Sequence, residues 1–189
     1  FATTNTDTLR FRHHLSEPPF WQVAQWYSHF DLAKSPRSRT KYGFTHTNIG
    51  KSISVSRHHI LTLEIKTDKE YSTPRTTENW QHLLIQHDFA TPINLSELSS
   101  LRLSFSLRLL YCKNCMSADS YNSSLHTIQS PFYLMLRNAN PRSLDYGSLL
   151  WFGVPSFDYR DRQLPASPTV SWDIGTATYI YQTPPRAIW

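Results

Sequence analysis

The segment LLWFGVPSFDYRDRQLP (residues 149–165) sends an apolar run straight into Asp158, Arg160, Asp161 and Arg162, all within five positions. Acids alternating with arginines could line a binding rim or carry acid–base chemistry, and pKa separates the two. A glycosidase needs two carboxyls facing one groove, one protonated and one ionised. Arginines beside Asp158 and Asp161 favour the ionised form of both, so the pattern reads as ion-paired rim residues. The remaining acids that could act are Glu64, the only one of five glutamates placed mid-strand on a polar face, and Asp173. No E-x-D-x-E cluster accompanies them. A lyase acting on an acidic polysaccharide would pair Arg or Asn with a Tyr or His base, yet neither R-x-E-L nor Q-[IV]-H occurs.

Other chemistries fare no better. There is no G-x-S-x-G elbow and no H-E-x-x-H. Adjacent residues on an extended segment point to opposite faces, so neither His13-His14 nor His58-His59 makes a bidentate metal site there. The C-x-x-C of YCKNCM supplies Cys112 and Cys115, with His126 as a third ligand at most, whereas structural zinc takes four. Two free thiols or a local disulfide are expected, with no metal. Five glycines and no G-x-G-x-x-G or G-x-x-x-x-G-K-[ST] leave no loop to cradle a nucleotide, so no cofactor is expected.

Binding is better served. A flat aromatic ring suits the C–H face of a sugar, a few fixed polar groups take its hydroxyls, and Arg offers a rigid fork for hydroxyls or carboxylates. Trp151, Tyr133, Arg137, Asp158, Tyr159 and Arg160 lie on or just after strands expected to be central. Trp151 and Phe152 must face opposite ways on a strand; Phe152 suits the core and Trp151, with its N–H, a groove. Pro155 lacks an N–H and is expected to end the ladder, delivering residues 158–162 to the rim.

The elements that must position these residues are strands. LRLSFSLRLL (101–110) alternates Leu101, Leu103, Phe105, Leu107 and Leu109 with polar residues, the period of a half-buried strand. Residues 58–67 and 79–89 alternate similarly, 131–138 and 148–154 are more continuously apolar, and 20–27 and 176–183 complete the set. Pro-, Ser- and Asn-rich turns separate them. Helix is expected to stay below about a tenth, far under the usual third, in a turn at 95–99 and one near the N-terminus. Seven or more short strands indicate an antiparallel β-sandwich, and the long connection 112–130 favours a jelly roll. At 189 residues the chain can bury roughly 70% of its unfolded surface, and one domain, 1–189, is expected.

Charged residues are only 17% of the chain, leaving the polar surface to Ser, Thr, Asn, Gln and His, as in extracellular β-proteins. Net charge is +5, but basic residues are dispersed, KSPRSRTK being the densest run. A mild positive field favours an anionic partner without giving a nucleic-acid footprint. No run is apolar enough to be a membrane span, and the chain, opening at Phe1, reads as mature or trimmed.

The stretch FYLMLRNANPRSLDYGSLLWFGVPSFDYRDR resembles bacterial secreted β-sandwich proteins of the concanavalin A-like or jelly-roll kind linked to polysaccharide use. The matching elements are Arg137-Asn138, the Asp145-Tyr146-Gly147 turn, Leu150-Trp151-Phe152-Gly153, and Asp158 with Arg160. The resemblance implies a secreted, cell-surface or periplasmic protein that binds or processes a polysaccharide or oligosaccharide, neutral or acidic. The alternatives are a glycoside hydrolase or polysaccharide lyase, and a structural or adhesive β-domain of a larger assembly.

Overall fold

The computed structural model describes residues 7–8, 21–77, 80–89, 91, 93–102 and 104–185. The His13-His14 pair and the helix expected near the N-terminus lie outside these residues. Among them, eleven strands form three sheets, and helix is confined to α1 (Thr67–Glu70) and 3-10 turns at Leu32–Lys34, Leu95–Glu97 and Ala118–Ser120. The chain is therefore mostly β, as its periodicity indicates. It divides into two compact units: Phe1–Ser104 with Cys115–Ser120, and Phe105–Asn114 with Tyr121–Trp189.

The first unit holds two sheets. One has the order β1 (Asp7–Thr8), β2 (Trp21–Trp26), β7 (His82–His87); the other runs β3 (Arg37–Thr40), β4 (Gly43–Thr47), β5 (Lys51–Ser56), β6 (Leu61–Ile65). β5 shows why they close on each other. Its sequence KSISVS buries Lys51, Ile53 and Val55 and leaves the three serines half-covered, the period-two division of a strand. Ile53 joins Val23, Leu83 and Leu32 in one core, against which Phe44, Leu61, Ile65 and Ile85 pack. Both sheets thus contribute to a single apolar layer. Gln25, fully buried, is satisfied at both ends: its Nε2 donates to Asp31 at 2.5 Å, and its Oε1 accepts from Leu32 N at 3.2 Å.

The second unit is one sheet with the order β10 (Thr169–Asp173), β11 (Thr178–Gln182), β9 (Leu149–Asp158), β8 (Gln129–Arg137). β8–β9 and β10–β11 are antiparallel, but β11 runs parallel to β9. This is the one departure from antiparallel pairing among the described strands. The β10–β11 hairpin returns so that its second strand fills the place beside β9.

Two expectations are overturned. The described residues of 101–110 belong to no strand, and Leu101, Phe105, Leu107, Leu109 and Leu110 are exposed. Alternation shows which face a strand would bury, but it does not supply a ladder partner. Pro155 does not end β9. It sits opposite Pro131, and after an irregularity between Ser130 and Pro131 the ladder resumes as Ser130–Phe157 and Gln129–Asp158. Gly153 turns its polar backbone groups towards β11, its carbonyl accepting from Thr183 N at 2.9 Å. Pro155, two residues on, turns the same way, so its missing N–H is not one that β8 would have received; the bulge at Ser156 absorbs the mismatch.

Candidate functional site

Register decides which side chains meet. Tyr133 lies opposite Gly153, Met135 opposite Trp151 and Arg137 opposite Leu149, while Ile180 and Gln182 of β11 align with Trp151 and Gly153. Directly paired residues share a face, so Tyr133, Met135, Arg137, Trp151 and Gln182 stand on one side of the sheet. Phe132, Leu134, Phe152 and Tyr181 stand on the other, where Phe152 and Tyr181 stack at 5.7 Å with their planes 6° apart. Trp151 and Phe152 face opposite ways, as a strand requires, and both are half-buried.

On the Trp151 face the Tyr133 and Trp151 rings meet edge to face, centroids 5.7 Å apart at 65°. Gly153 makes this possible: any Cβ there would run into the Tyr133 ring and the Phe132 carbonyl. The polar tips are fixed. Gln182 Nε2 donates to the Tyr133 hydroxyl at 2.7 Å, and Trp151 Nε1 donates to Thr176 Oγ1 at 3.1 Å. Burial pushes the Tyr133 phenol up to about 12, against the Gln182 hydrogen bond, which lowers it, and with the Asp173 charge raising it further. The hydroxyl is therefore a neutral donor and acceptor at any physiological pH. Gln182 and Thr176 were not among the residues singled out from the sequence. Nothing local marks them, because only the parallel register of β11 brings Gln182 to a tyrosine 49 residues away.

Asp158 answers the question its segment raises. The bulge places it opposite Gln129, on the Trp151 face, about 13 Å along β8 from Tyr133. It is buried, 7% exposed, and its acceptor capacity is taken up. Arg160 donates from Nε at 2.9 Å, Nη2 at 2.5 Å and its backbone N at 3.0 Å, with Thr127 at 3.0 Å and Gln129 at 2.6 Å. Burial alone would raise its pKa, but those hydrogen bonds, Arg160's first, hold the carboxyl well below the usual carboxylate range. It cannot act as a general acid at neutral pH; it anchors the strand end. Tyr159 packs edge to face on Tyr121 at 6.1 Å.

The other acids are similarly occupied. Asp173 caps the β10–β11 turn, accepting from the Gly175 and Thr176 amides at 3.2 Å each and from the Thr176 hydroxyl. Glu64 lies in the first unit, half-exposed, accepting from Ser52 Oγ at 3.1 Å and pairing with Lys66 at 3.2 Å. Cys112 and Cys115 are free thiols. Among the described residues no group of three or more His, Cys, Asp or Glu is placed to hold a metal ion, and no helix is long and apolar enough to cross a membrane.

The chain matches no protein-family model, no curated protein and no solved structure.

Proposed function

We propose that the chain binds carbohydrate, taking a polysaccharide or oligosaccharide across the Trp151 face of its second unit, as a secreted or cell-surface protein. A jelly-roll, concanavalin A-like organisation is the finer form of the same proposal. The observation that carries it is the Tyr133–Trp151 pair, two half-buried rings set at 65° on neighbouring strands with their polar tips fixed by Gln182 and Thr176. Such a surface offers apolar faces to sugar C–H groups and oriented polar groups to hydroxyls, with little left to reorganise on binding. Arg137, exposed on the same face at the end of β8, adds a planar donor for hydroxyls or carboxylates. Hydrolysis is less well supported, because Asp158 is held ionised and Asp173 is committed to a turn.

A second reading, a structural or adhesive β-domain, draws on the exposed apolar residues of 101–110. One experiment separates the three. The chain is run against a panel of neutral and acidic polysaccharides in affinity electrophoresis and assayed for products. Retention without product, abolished by Trp151→Ala at a stability cost of about 1 kcal/mol, is the expected result. New reducing ends or unsaturated-uronate absorbance mean an enzyme. Neither retention nor product leaves the structural reading.

A further inference from the structure

The sheet of the second unit has two faces, and they differ in kind. Register lines up Leu134, Phe152, Tyr181 and Val170 as one row across all four strands. Leu136, Leu150, Tyr179 and Trp172 form the next row. Both rows stand on the face opposite Trp151, since directly paired residues share a side, and neither holds a charged side chain. The Trp151 face, by contrast, carries Arg137, Asp173, Thr178 and Gln182.

A sheet that is apolar on one side is stable when that side packs on another element. The first unit achieves this, with Val23, Leu32, Ile53 and Leu83 buried in one core. In the second unit no Val, Leu, Ile, Phe, Tyr or Trp among the described residues is fully buried. Cover is graded instead. At the β8 end the Phe105 ring lies against Phe132, centroids 5.7 Å apart, and Leu134 and Leu136 are half-buried. At the β10–β11 end Val170 is 64% exposed, Trp172 53% and Tyr179 58%. The Trp172 and Tyr179 rings meet edge to face at 4.9 Å, so the open end is a formed aromatic surface.

We infer that this face is the contact between two copies of the chain, packed sheet on sheet about a two-fold axis with the β10–β11 hairpins at its centre. Charge and area single out a second copy as the occupant. Two faces without a charge can meet without taking one out of water, and contacts between identical subunits are the apolar kind, poor in charged residues and rich in aromatic ones. The open parts of Val170, Trp172 and Tyr179 amount to roughly 300 Å², from rings that bury about 150–250 Å² each when covered. The half-buried members of the two rows add a comparable area, so a pair of copies buries about 1,200 Å², the lower bound of a specific interface. A patch that meets itself about a two-fold axis closes at the dimer. Both Trp151 faces then point outward, and the inference stands whether or not they take carbohydrate.

The test is analytical ultracentrifugation of the full chain, without carbohydrate, from about 1 to about 200 µM. A reversible monomer–dimer equilibrium is expected with a Kd on the order of 10 µM, as suits an interface of this size. Trp172→Glu should weaken it at least about thirtyfold, the scale of a lost aromatic anchor, and Trp172→Phe by less than about tenfold because a ring remains. Ser171→Glu puts the same charge one residue away on the Trp151 face and should leave the Kd within about twofold. Far-UV circular dichroism checks that each variant is folded; if Trp172→Glu is not, Tyr179→Gln carries the comparison with Ser171→Glu. A chain still monomeric at the highest concentration would leave the face to a different protein and overturn the proposal. So would a Trp172→Glu variant that dimerises like the parent chain, a Ser171→Glu variant that loses the dimer equally, or association that grows past the dimer.

Discussion

Substituting Lys51 by methionine tests whether the buried ion pair in the first unit holds the fold as its geometry implies. Lys51 Nζ and Glu70 Oε1 are 2.7 Å apart, and both side chains are 0% exposed. At an effective dielectric constant near 20, two unit charges at that distance attract by about 6 kcal/mol, most of it offset by the cost of removing them from water. Methionine preserves length and volume but leaves the Glu70 carboxylate, among the described residues, with the His29 and Phe30 amides. Breaking a buried pair from one side costs about 3–5 kcal/mol, a large share of a total stability of about 5–15 kcal/mol. With a urea slope of about 2 kcal/mol per molar, the midpoint should fall by about 1.5–2.5 M. The assay is urea unfolding followed by tryptophan fluorescence and far-UV circular dichroism. The double variant Lys51→Met/Glu70→Gln removes both charges and keeps an acceptor for one amide, so it should recover at least about half of the loss. A single variant within about 1 kcal/mol of the parent, or a double variant no better than the single, would refute the argument that the pair is desolvated and mutually dependent.

Asp158 predicts an acid-side effect. Its folded pKa is depressed, so its contribution is complete above the unfolded value near 4 and is lost as pH falls from about 5 towards 2; Asp158→Asn should flatten that limb of the stability–pH profile by about 2 kcal/mol. Tyr133 gives the opposite window. Its folded pKa near 12 exceeds the unfolded value of about 10, so its contribution is complete below 10 and lost between 10 and 12, and the last phenolate transition in an ultraviolet titration should vanish in Tyr133→Phe. Leu107→Ser, in the exposed stretch 101–110, should change stability by less than about 0.5 kcal/mol; a loss above 2 kcal/mol would show that this leucine is buried after all.

The strands that reading along the chain located were those whose own side chains carry the signal. β2, β6, β7 and β11 fall inside segments read as strands, and β8 and β9 overlap the apolar segments 131–138 and 148–154, extending beyond them to Gln129 and Asp158. β3 (RSRT), β4 (GFTHT) and β10 (TVSWD) were missed because they carry little apolar material, and β3 has every residue exposed. β5 was missed for a different reason: KSISVS has a lysine on its buried face, and that lysine is tolerable only because Glu70, nineteen residues on, neutralises it. Residues 101–110 are the converse case, a perfect alternation with no ladder at its described residues.

The site follows the same division between what is local and what depends on pairing. That Trp151 and Phe152 point opposite ways was legible, since it follows from strand geometry alone. That Asp158 shares a face with Trp151 was not. Seven residues separate them, an odd number, and a regular strand would put them on opposite faces. The bulge at the facing prolines adds the residue that brings Asp158 back to Gln129 and the Trp151 side. The prolines were visible in the sequence, but the sequence alone reads each of them as a stop. Only the register shows why Pro155 does not break the β8–β9 ladder: its nitrogen, like that of Gly153, is turned to the β11 side, past the last β11 pairing at Gln182–Gly153. The polar rim at Asp158–Arg162 is thus the end of one long, bulged strand, and the ion pair that closes it keeps the aromatic surface upstream on a rigid edge.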